Sequence, residues 1–524
     1  MFGAYPFASV PFAASLTDAS TVPAVQDLIA DQESPRAYLF HAKPYDPVSA
    51  AEADVRASIG LQYPIVDSVH WPAFLKTACD SQVELFGEDE DAQGRTSFGN
   101  LELMIGDGEH DDILGLLWDG REVEVMLGAE GFDIDEYVTV LKGTSEDITY
   151  DQRRLSIVFR GKEELLNKPV QESLYAGTGG LEGDESLIGN EKPICFGNVF
   201  NITPVLVDET NQVYQFHDGA AFAVVGAYDG GGALTSHGDV ADITAASVPA
   251  GYFKTQLSGG YIKLGAPPEK MLTIDAQGSS SGGYITNWSD VVKRIILDYT
   301  DLTEADLNLP SFFTAKLDSG RSVIGLYIIG QSVSDVLSEL AHSVGGSWTF
   351  NRLGLLTLGV FRKRLSAGTI TSNDITKGSF RRERTPAPSW QRRIGYRRAW
   401  TVATEDQFIG DALAGRKSYT VKEFRYSIDE DATIKTSRAG ARIVEKNTLL
   451  VHIAEADTEA ARQQALFGAN RDRVNLVARR QQFKYSVGQT ITVDYERFDF
   501  PKDMIILGIR ENTSLGQTTF RLWG

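Results

Sequence analysis

Five segments between residues 82 and 161 repeat one pattern, a short run of alternating apolar and polar side chains, in most cases closed by glycine. They are QVELFG (82–87), FGNLELMIG (98–106), REVEVMLG (121–128), YVTVLKGTSE (137–146) and RRLSIVFRG (153–161). Successive side chains of a strand point to opposite faces, so this alternation buries one face and wets the other. The gaps are too short for the crossover helices that parallel strands require, and the pairing must be antiparallel. WDGREVEV (118–125) sets Asp119-Gly120 directly before a clean strand, a strong turn signal. RAYLFHAKPYD adds an earlier strand, ended by Pro44 and Pro47. Residues 36–165 are therefore expected to make one antiparallel β-barrel or sandwich.

A chain of 524 residues exceeds one hydrophobic core, and the pattern changes along it. Residues 166–285 read as a looser β-domain, opening with the aperiodic AGTGGLEGDESLIGNEKP. At Asn287 the period becomes helical: Trp288, Val291, Val292, Ile295, Ile296 and Tyr299 share one stripe, with Ser289 expected as N-cap. A second helix carries Val336, Leu337, Leu340, Ala341 and Val344 and stops at Gly345, before a hairpin that turns at Asn351-Arg352-Leu353-Gly354. Residues 286–375 thus form an α+β unit. Residues 376–524 return to strands, with one helix expected to be capped by Asp457. The final TTFRLWG is read as the return arm of a hairpin with DMIILGIREN, apolar to its end because it lies inside a sheet. The fold class is mainly β and multidomain, with small antiparallel barrels or sandwiches and one α+β insert.

The first 35 residues fit neither period. They are apolar, with Phe2, Tyr5, Phe7 and Phe12, but Pro6 and Pro11 interrupt them and no basic residue precedes them. That excludes a secretory signal and predicts an arm lying over a neighbour. No later run is long enough to span a bilayer, and a soluble protein made in a cytoplasm is expected.

Charge and motif content exclude several functions. A net charge of −21 opposes a general DNA-binding or anionic-membrane surface. Cys79 and Cys195 stand far apart with no Cys/His cluster, so neither a zinc site nor a disulfide scaffold is expected. No histidine pairs with another at helical spacing, and His342 is read as a core residue. The acidic runs at 88–91 and 106–112 lack calcium-loop spacing and read as solvated turns. GSSSG (278–282) has the form of a nucleophile elbow, but its helix starts several residues too late, leaving a loop. No catalytic residue, cofactor or metal is assigned.

One stretch departs from this background. KGSFRRERTPAPSWQRRIGYRRAW (377–400) holds seven arginines and one lysine against Glu383. The pairs Arg381/Arg382, Arg392/Arg393 and Arg397/Arg398 recur beside Trp390 and Trp400. Two readings stand: strands whose arginines neutralise acidic faces of the same chain, or a docking stripe for an acidic partner or another subunit.

GNLELMIGDGEHDDILGLLWDGREVEVMLG (99–128) resembles the first domain of the tail-tip (baseplate) hub proteins of long-tailed bacteriophages. In that family a strand, an Asp-Gly turn and a DGR-plus-strand ending in glycine recur. KPICFGNVFNITPVLVD and VYQFHDG resemble its second block. DVVKRIILDYTDL, VSDVLSELAHSVGGSWTFNRLGLLTLG and QRRIGYRRAWTV resemble later ones. VGQTITVDYERFDFPKDMIILGIREN with TTFRLWG resembles its closing barrel. The resemblance implies a homotrimeric structural hub at the virion tail tip. Its barrels would form a pseudo-sixfold ring under the hexameric distal tail protein, near the tape measure protein. It would anchor a central fibre or receptor-binding proteins, and phage DNA would pass its lumen on ejection. The arm at 1–35 has no counterpart in that pattern, and no lysozyme or peptidase segment is recognisable. The alternatives are a tail-tip enzyme cleaving cell-wall glycan or peptide, a hexameric distal tail protein, and a carbohydrate-binding adhesin.

Overall fold

A computed structural model describes Leu28 and residues 34–85, 94–106, 108–320, 322–384, 387–480, 483 and 485–524. The expected arm, with Phe2, Tyr5, Phe7 and Phe12, lies outside the described residues apart from Leu28, Ser34 and Pro35; so does the acidic run at 88–91. The architecture is mainly β, multidomain, with antiparallel sheets and an α+β insert.

The first sheet has seven antiparallel strands in the order Val55–Ile59, Ala37–Ala42, Glu122–Gly128, Val138–Tyr150, Arg154–Arg160, Asn100–Met104 and Leu75–Thr77. The apolar half of each alternation faces inward: Leu101 and Leu103, Val123, Val125 and Leu127, Leu155 and Ile157 are all fully buried. Ser58 draws the sheet edges together, donating its backbone N–H to Pro72 O at 2.8 Å and its hydroxyl to Trp71 O at 2.7 Å. The sheet curls into a barrel.

QVELFG belongs elsewhere. Ser81–Glu84 pairs with Arg95–Phe98 and with Lys502–Asn512, where Val83 stands opposite Ile509. Leu85 and Val83 pack into the core of the last sheet. A period of two shows that one face is buried but not against which partner, and proximity in sequence misleads here. The same excursion reaches the α+β unit through Gly94 N–H to Trp348 O at 2.9 Å.

That last sheet runs Thr369–Thr371, Thr490–Asp494, Lys502–Asn512, Gln517–Trp523, Asp472–Ala478 and Arg381–Arg384. The closing hairpin pairs Ile509 with Phe520 and Ile505 with Trp523. Gly516 turns it at φ +60°, and Asn512 Oδ1 accepts from Leu515 N–H at 2.7 Å. Phe520 and Leu522 are fully buried, and the Trp523 ring lies 5.2 Å from Phe361 and 5.6 Å from Phe467. The terminus is apolar because it is a core strand.

Between these two sheets in the chain, a nine-stranded sheet runs from Val205–Asp208 through Val213–Gln215, Tyr261–Leu264, Tyr252–Gln256, Gly232–Asp239, Ala221–Asp229, Leu272–Ser279 and Ile194–Ile202 to Gly325–Ile328. Its core holds Val199, Ile202, Phe216, Ile262 and Ile274. The neighbouring α+β unit has α1 (Trp288–Tyr299), α2 (Leu309–Asp318), α3 (Val333–Ser343) and the hairpin Gly346–Phe350/Leu356–Val360. Trp288, Ile296, Leu337, Leu340, Trp348 and Leu358 are fully buried together. The cap of α1 is Asn287, whose Oδ1 accepts from Ser289 N–H at 3.0 Å. Ser289 lies within the first turn, buried, and donates to Phe312 O at 2.9 Å. Helix α2 escapes prediction because LPSFFTAKLD is apolar on two sides: Phe312 and Ala315 are buried while Phe313 and Leu317 are exposed.

The remaining segment contains α4 (Ala414–Thr420), α5 (Ala432–Ser437), α6 (Ile453–Phe467) and a sheet in the order Arg425–Glu430, Ser389–Tyr396, Arg442–Asn447. Helix α6 packs across this sheet. It begins at Ile453 rather than at Asp457, because Ala454, Glu455 and Ala456 extend it toward the N-terminus. Asp457 sits in the second turn and accepts from the Ser427 hydroxyl at 2.6 Å.

Candidate interaction surface

The arginine-rich stretch divides between two sheets. Arg381 and Arg382 lie on the last sheet, opposite Asn475 and Val474. Arg382 binds Asp472 at 2.8 Å and donates to Phe498 O at 3.0 Å. Burial pushes the Asp472 carboxyl up, but hydrogen bonds from Arg382 and Lys502 outweigh it and hold the group below the usual carboxylate range. Arg381 is exposed and forms no ion pair among the described residues.

The other pairs belong to the strand Ser389–Tyr396 and the turn after it. Alternation sends Arg392 and Ile394 toward α6. Arg392 is 5 % exposed; it donates to Ser389 Oγ at 2.8 Å and its guanidinium lies 4.5 Å from the Phe467 ring centre. Arg393, on the opposite face, donates to Gln391 Oε1 at 2.9 Å and lies 3.9 Å from Glu445. Trp390 is half-buried, with Lys435 Nζ 4.2 Å from its ring centre. Arg398 is clamped between Glu423 at 2.9 Å and Glu339 at 3.3 Å, and stacks 4.1 Å from the Trp400 ring centre. Burial raises the Glu339 carboxyl, against the pull of Arg398. Trp400 in turn meets Tyr327 edge-on at 5.9 Å. Arg382, Arg392, Arg393 and Arg398 are thus held by groups of their own chain.

Arg397 is not. Its backbone is left-handed at φ +48°, anchored by N–H to Leu450 O at 2.7 Å. Its exposed guanidinium lies 4.7 Å from the Phe200 ring centre and 5.4 Å from that of Tyr419. Around Tyr419 gather two residues that local pattern does not single out. Arg425 lies 3.7 Å from the same ring and donates to Arg397 O and Lys422 O, each at 2.8 Å. Arg416 is buried and grips Asp275 with two bonds of 2.7 and 2.9 Å, with Asn201 Oδ1 at 2.7 Å and Tyr228 stacked at 3.7 Å. Tyr419 donates to Arg398 O at 3.2 Å, and burial pushes its phenol up to about 12. One signal did exist for Asp275: it interrupts a strand whose neighbours Ile274 and Ala276 are buried, and a charge in that position needs a buried partner.

The remaining motifs resolve into local structure. Gly278 of GSSSG presses on the Cys195 backbone, where a Cβ would sit 2.2 Å from the carbonyl oxygen, and Ser279 ends a strand. Asp111 and Asp112 open a short 3-10 turn. Among the described residues no group of His, Cys, Asp or Glu is arranged to hold a metal, and no helix is long and apolar enough to cross a membrane. Both cysteines are free and buried. His342 is half-buried, and burial with nearby Lys446 pushes it down to about 3. A cavity of about 460 Å³ lies between the end of α2 and the start of α6. Two of its carboxylates are already bound, Asp318 by Arg362 at 2.9 Å and by Arg364, Glu459 by Arg462 at 2.6 Å.

No family model and no curated protein matches the chain. Among solved structures it is similar to the 43 kDa tail protein of prophage MuSo2 from Shewanella oneidensis, at 11% identity and TM-score 0.36 over 93% of this chain and 98% of that one. It is similar to the tail protein from Neisseria meningitidis MC58, at 11% identity and TM-score 0.37 over 93% and 96%. A chain of a native gene transfer agent virion gives 12% identity and TM-score 0.38 over 69% and 91%. At these scores the likeness carries no inference about function.

Proposed function

We propose that the chain is a structural component of a bacteriophage tail, the hub at its tip, and that it works through interfaces rather than by making or breaking a bond. Three copies assemble beneath the hexameric distal tail ring and close the tail tube, next to the tape measure protein. Their outer face anchors a central fibre or receptor-binding proteins. The observation that carries this is that one chain holds two small β-modules, the first barrel and the last sheet, tied together because Ser81–Glu84 and Arg95–Phe98 leave the first and pair into the last. Three such chains offer six β-modules, which is what a trimer needs to meet a sixfold ring. The order of the sequence blocks that resemble hub proteins supports the same reading, and each block falls on strands or helices of the fold. A net charge of −21 per chain suits a lumen that DNA crosses without adhering.

Mass photometry of the purified chain with the distal tail protein, followed by a particle map, tests this. Three copies next to the tail tube are expected. Six copies, or density away from the tail tip, would overturn it. Loss of cell-wall turbidity on adding the chain, abolished by substituting one carboxylate, would restore the enzymatic alternative.

A further inference from the structure

Three guanidinium groups crowd round Tyr419, and their surroundings differ. Arg416 is neutralised by the two-pronged bond to Asp275. Arg425 donates to backbone carbonyls, and burial, followed by neighbours that include Arg397 and Arg416, makes its charged form harder to hold. The nearby Glu423 side chain is turned to Arg398. Arg397 is exposed, and among the described residues no hydrogen bond or ion pair engages its guanidinium, whose five N–H donors form a rigid planar fork. The rings of Phe200 and Tyr419 flank it, with their centres 4.7 and 5.4 Å away. Exposed Lys422, whose carbonyl accepts from Arg425, adds a further positive charge to the same turn.

We propose that Arg397, with Arg425 and Lys422 beside it, is a docking site for a carboxylate presented by a partner protein. The fork matches a carboxylate with two parallel bonds, and an arginine already resting against aromatic rings loses less freedom on binding than one free in solvent. The patch is a local positive island in a chain of −21, so a long polyphosphate is repelled beyond it while a short acidic protein segment meets only the island. A left-handed, non-glycine backbone at this residue, stabilised by its own bond to Leu450, is the kind of strain retained at binding positions. This site stands independently of the tail assignment.

The test uses the full chain and two fluorescent probes, hexaglutamate and hexathymidylate, followed by anisotropy at low salt. Arg397→Asn removes the charge and suits a left-handed backbone. Arg397→Lys keeps the charge without the fork, and Arg381→Ala removes an exposed arginine elsewhere. Hexaglutamate is expected to bind the parent, about tenfold more weakly in Arg397→Asn, with an intermediate loss in Arg397→Lys and none in Arg381→Ala. Melting temperatures should stay together. No hexaglutamate binding, equal affinity in Arg397→Asn and the parent, or tighter binding of hexathymidylate with the same loss at Arg397 would each overturn the proposal.

Discussion

The bond between Arg416 and Asp275 is where this fold is most exposed to a single substitution. The two residues are 141 positions apart, both under a tenth exposed, and they clamp α4 onto the nine-stranded sheet. Replacing Arg416 by Met keeps much of the volume and the stacking against Tyr228, so the chief loss is electrostatic. Asp275 would then keep two neutral donors, Asn201 N–H at 2.8 Å and the Tyr228 hydroxyl, and would remain a buried carboxylate without a cation. Removing one partner of such a pair costs about 3–5 kcal/mol. For a cooperative unit of this size that lowers the melting temperature by about 10 °C. Asp275→Asn should cost less, because a neutral amide is cheaper to bury, yet it orphans the guanidinium. The double variant Arg416→Met with Asp275→Asn should be more stable than the sum of the two losses, with a coupling of about 2 kcal/mol. Urea unfolding read by tryptophan fluorescence, with pulse proteolysis as a second probe, measures all four proteins. Strict additivity, or a loss under 1 kcal/mol in Arg416→Met, would refute the view that this pair latches the two segments.

Two further outcomes follow from buried groups. His217 is 2 % exposed and its Nδ1 accepts from Cys195 N–H at 3.1 Å; burial holds it down to about 4, against a weaker upward pull from Asp218. Its folded value lies below the unfolded one of about 6.5, so its stability contribution is intact at neutral pH. That contribution falls as the unfolded chain gains a proton below about 6.5, levelling near pH 4 at a loss of about 3 kcal/mol. His217→Gln should flatten that part of the stability profile between pH 7 and 4.5, as read by urea midpoints. Trp523→Ala should destabilise the last sheet by about 3–5 kcal/mol, since it empties the space against Phe361 and Phe467; a differential scanning trace that leaves every transition in place would contradict the account of a buried closing strand.

How much of this was legible in the chain depends on how local the cause is. Alternation in REVEVMLG and RRLSIVFRG reports burial of one face, and Val123, Val125, Leu155 and Ile157 are where it puts them. The helical period from Trp288 and the stripe from Val336 are equally local, as is the closing hairpin. Helix ends were less legible, because the cap of α1 is chosen by which side chain reaches the free N–H groups: Asn287 does, while Ser289 finds Phe312. Ala454, Glu455 and Ala456 are ordinary helix formers, and nothing near Asp457 marks it as interior rather than first.

Pairing between distant segments is different in kind. Ser81–Glu84 carries the same alternation as its neighbours, yet its partner is Lys502–Asn512, because Val83 and Leu85 fit the last core. Period is a property of one strand, whereas partner choice is a property of two surfaces. The arginine stretch follows the same logic. Its charge excess is visible in sequence, but whether a given guanidinium meets Asp472, Glu423 or nothing depends on carboxylates up to about a hundred residues away. Arg382, Arg393 and Arg398 are paired with carboxylates of the same chain, so a run of arginines is poor evidence of a docking stripe as a whole. What identifies a candidate is the residue left over. Arg397 is exposed, flanked by aromatic rings and without a carboxylate among the described residues, one residue past a strand whose own arginines are held by Ser389, Gln391 and Glu445.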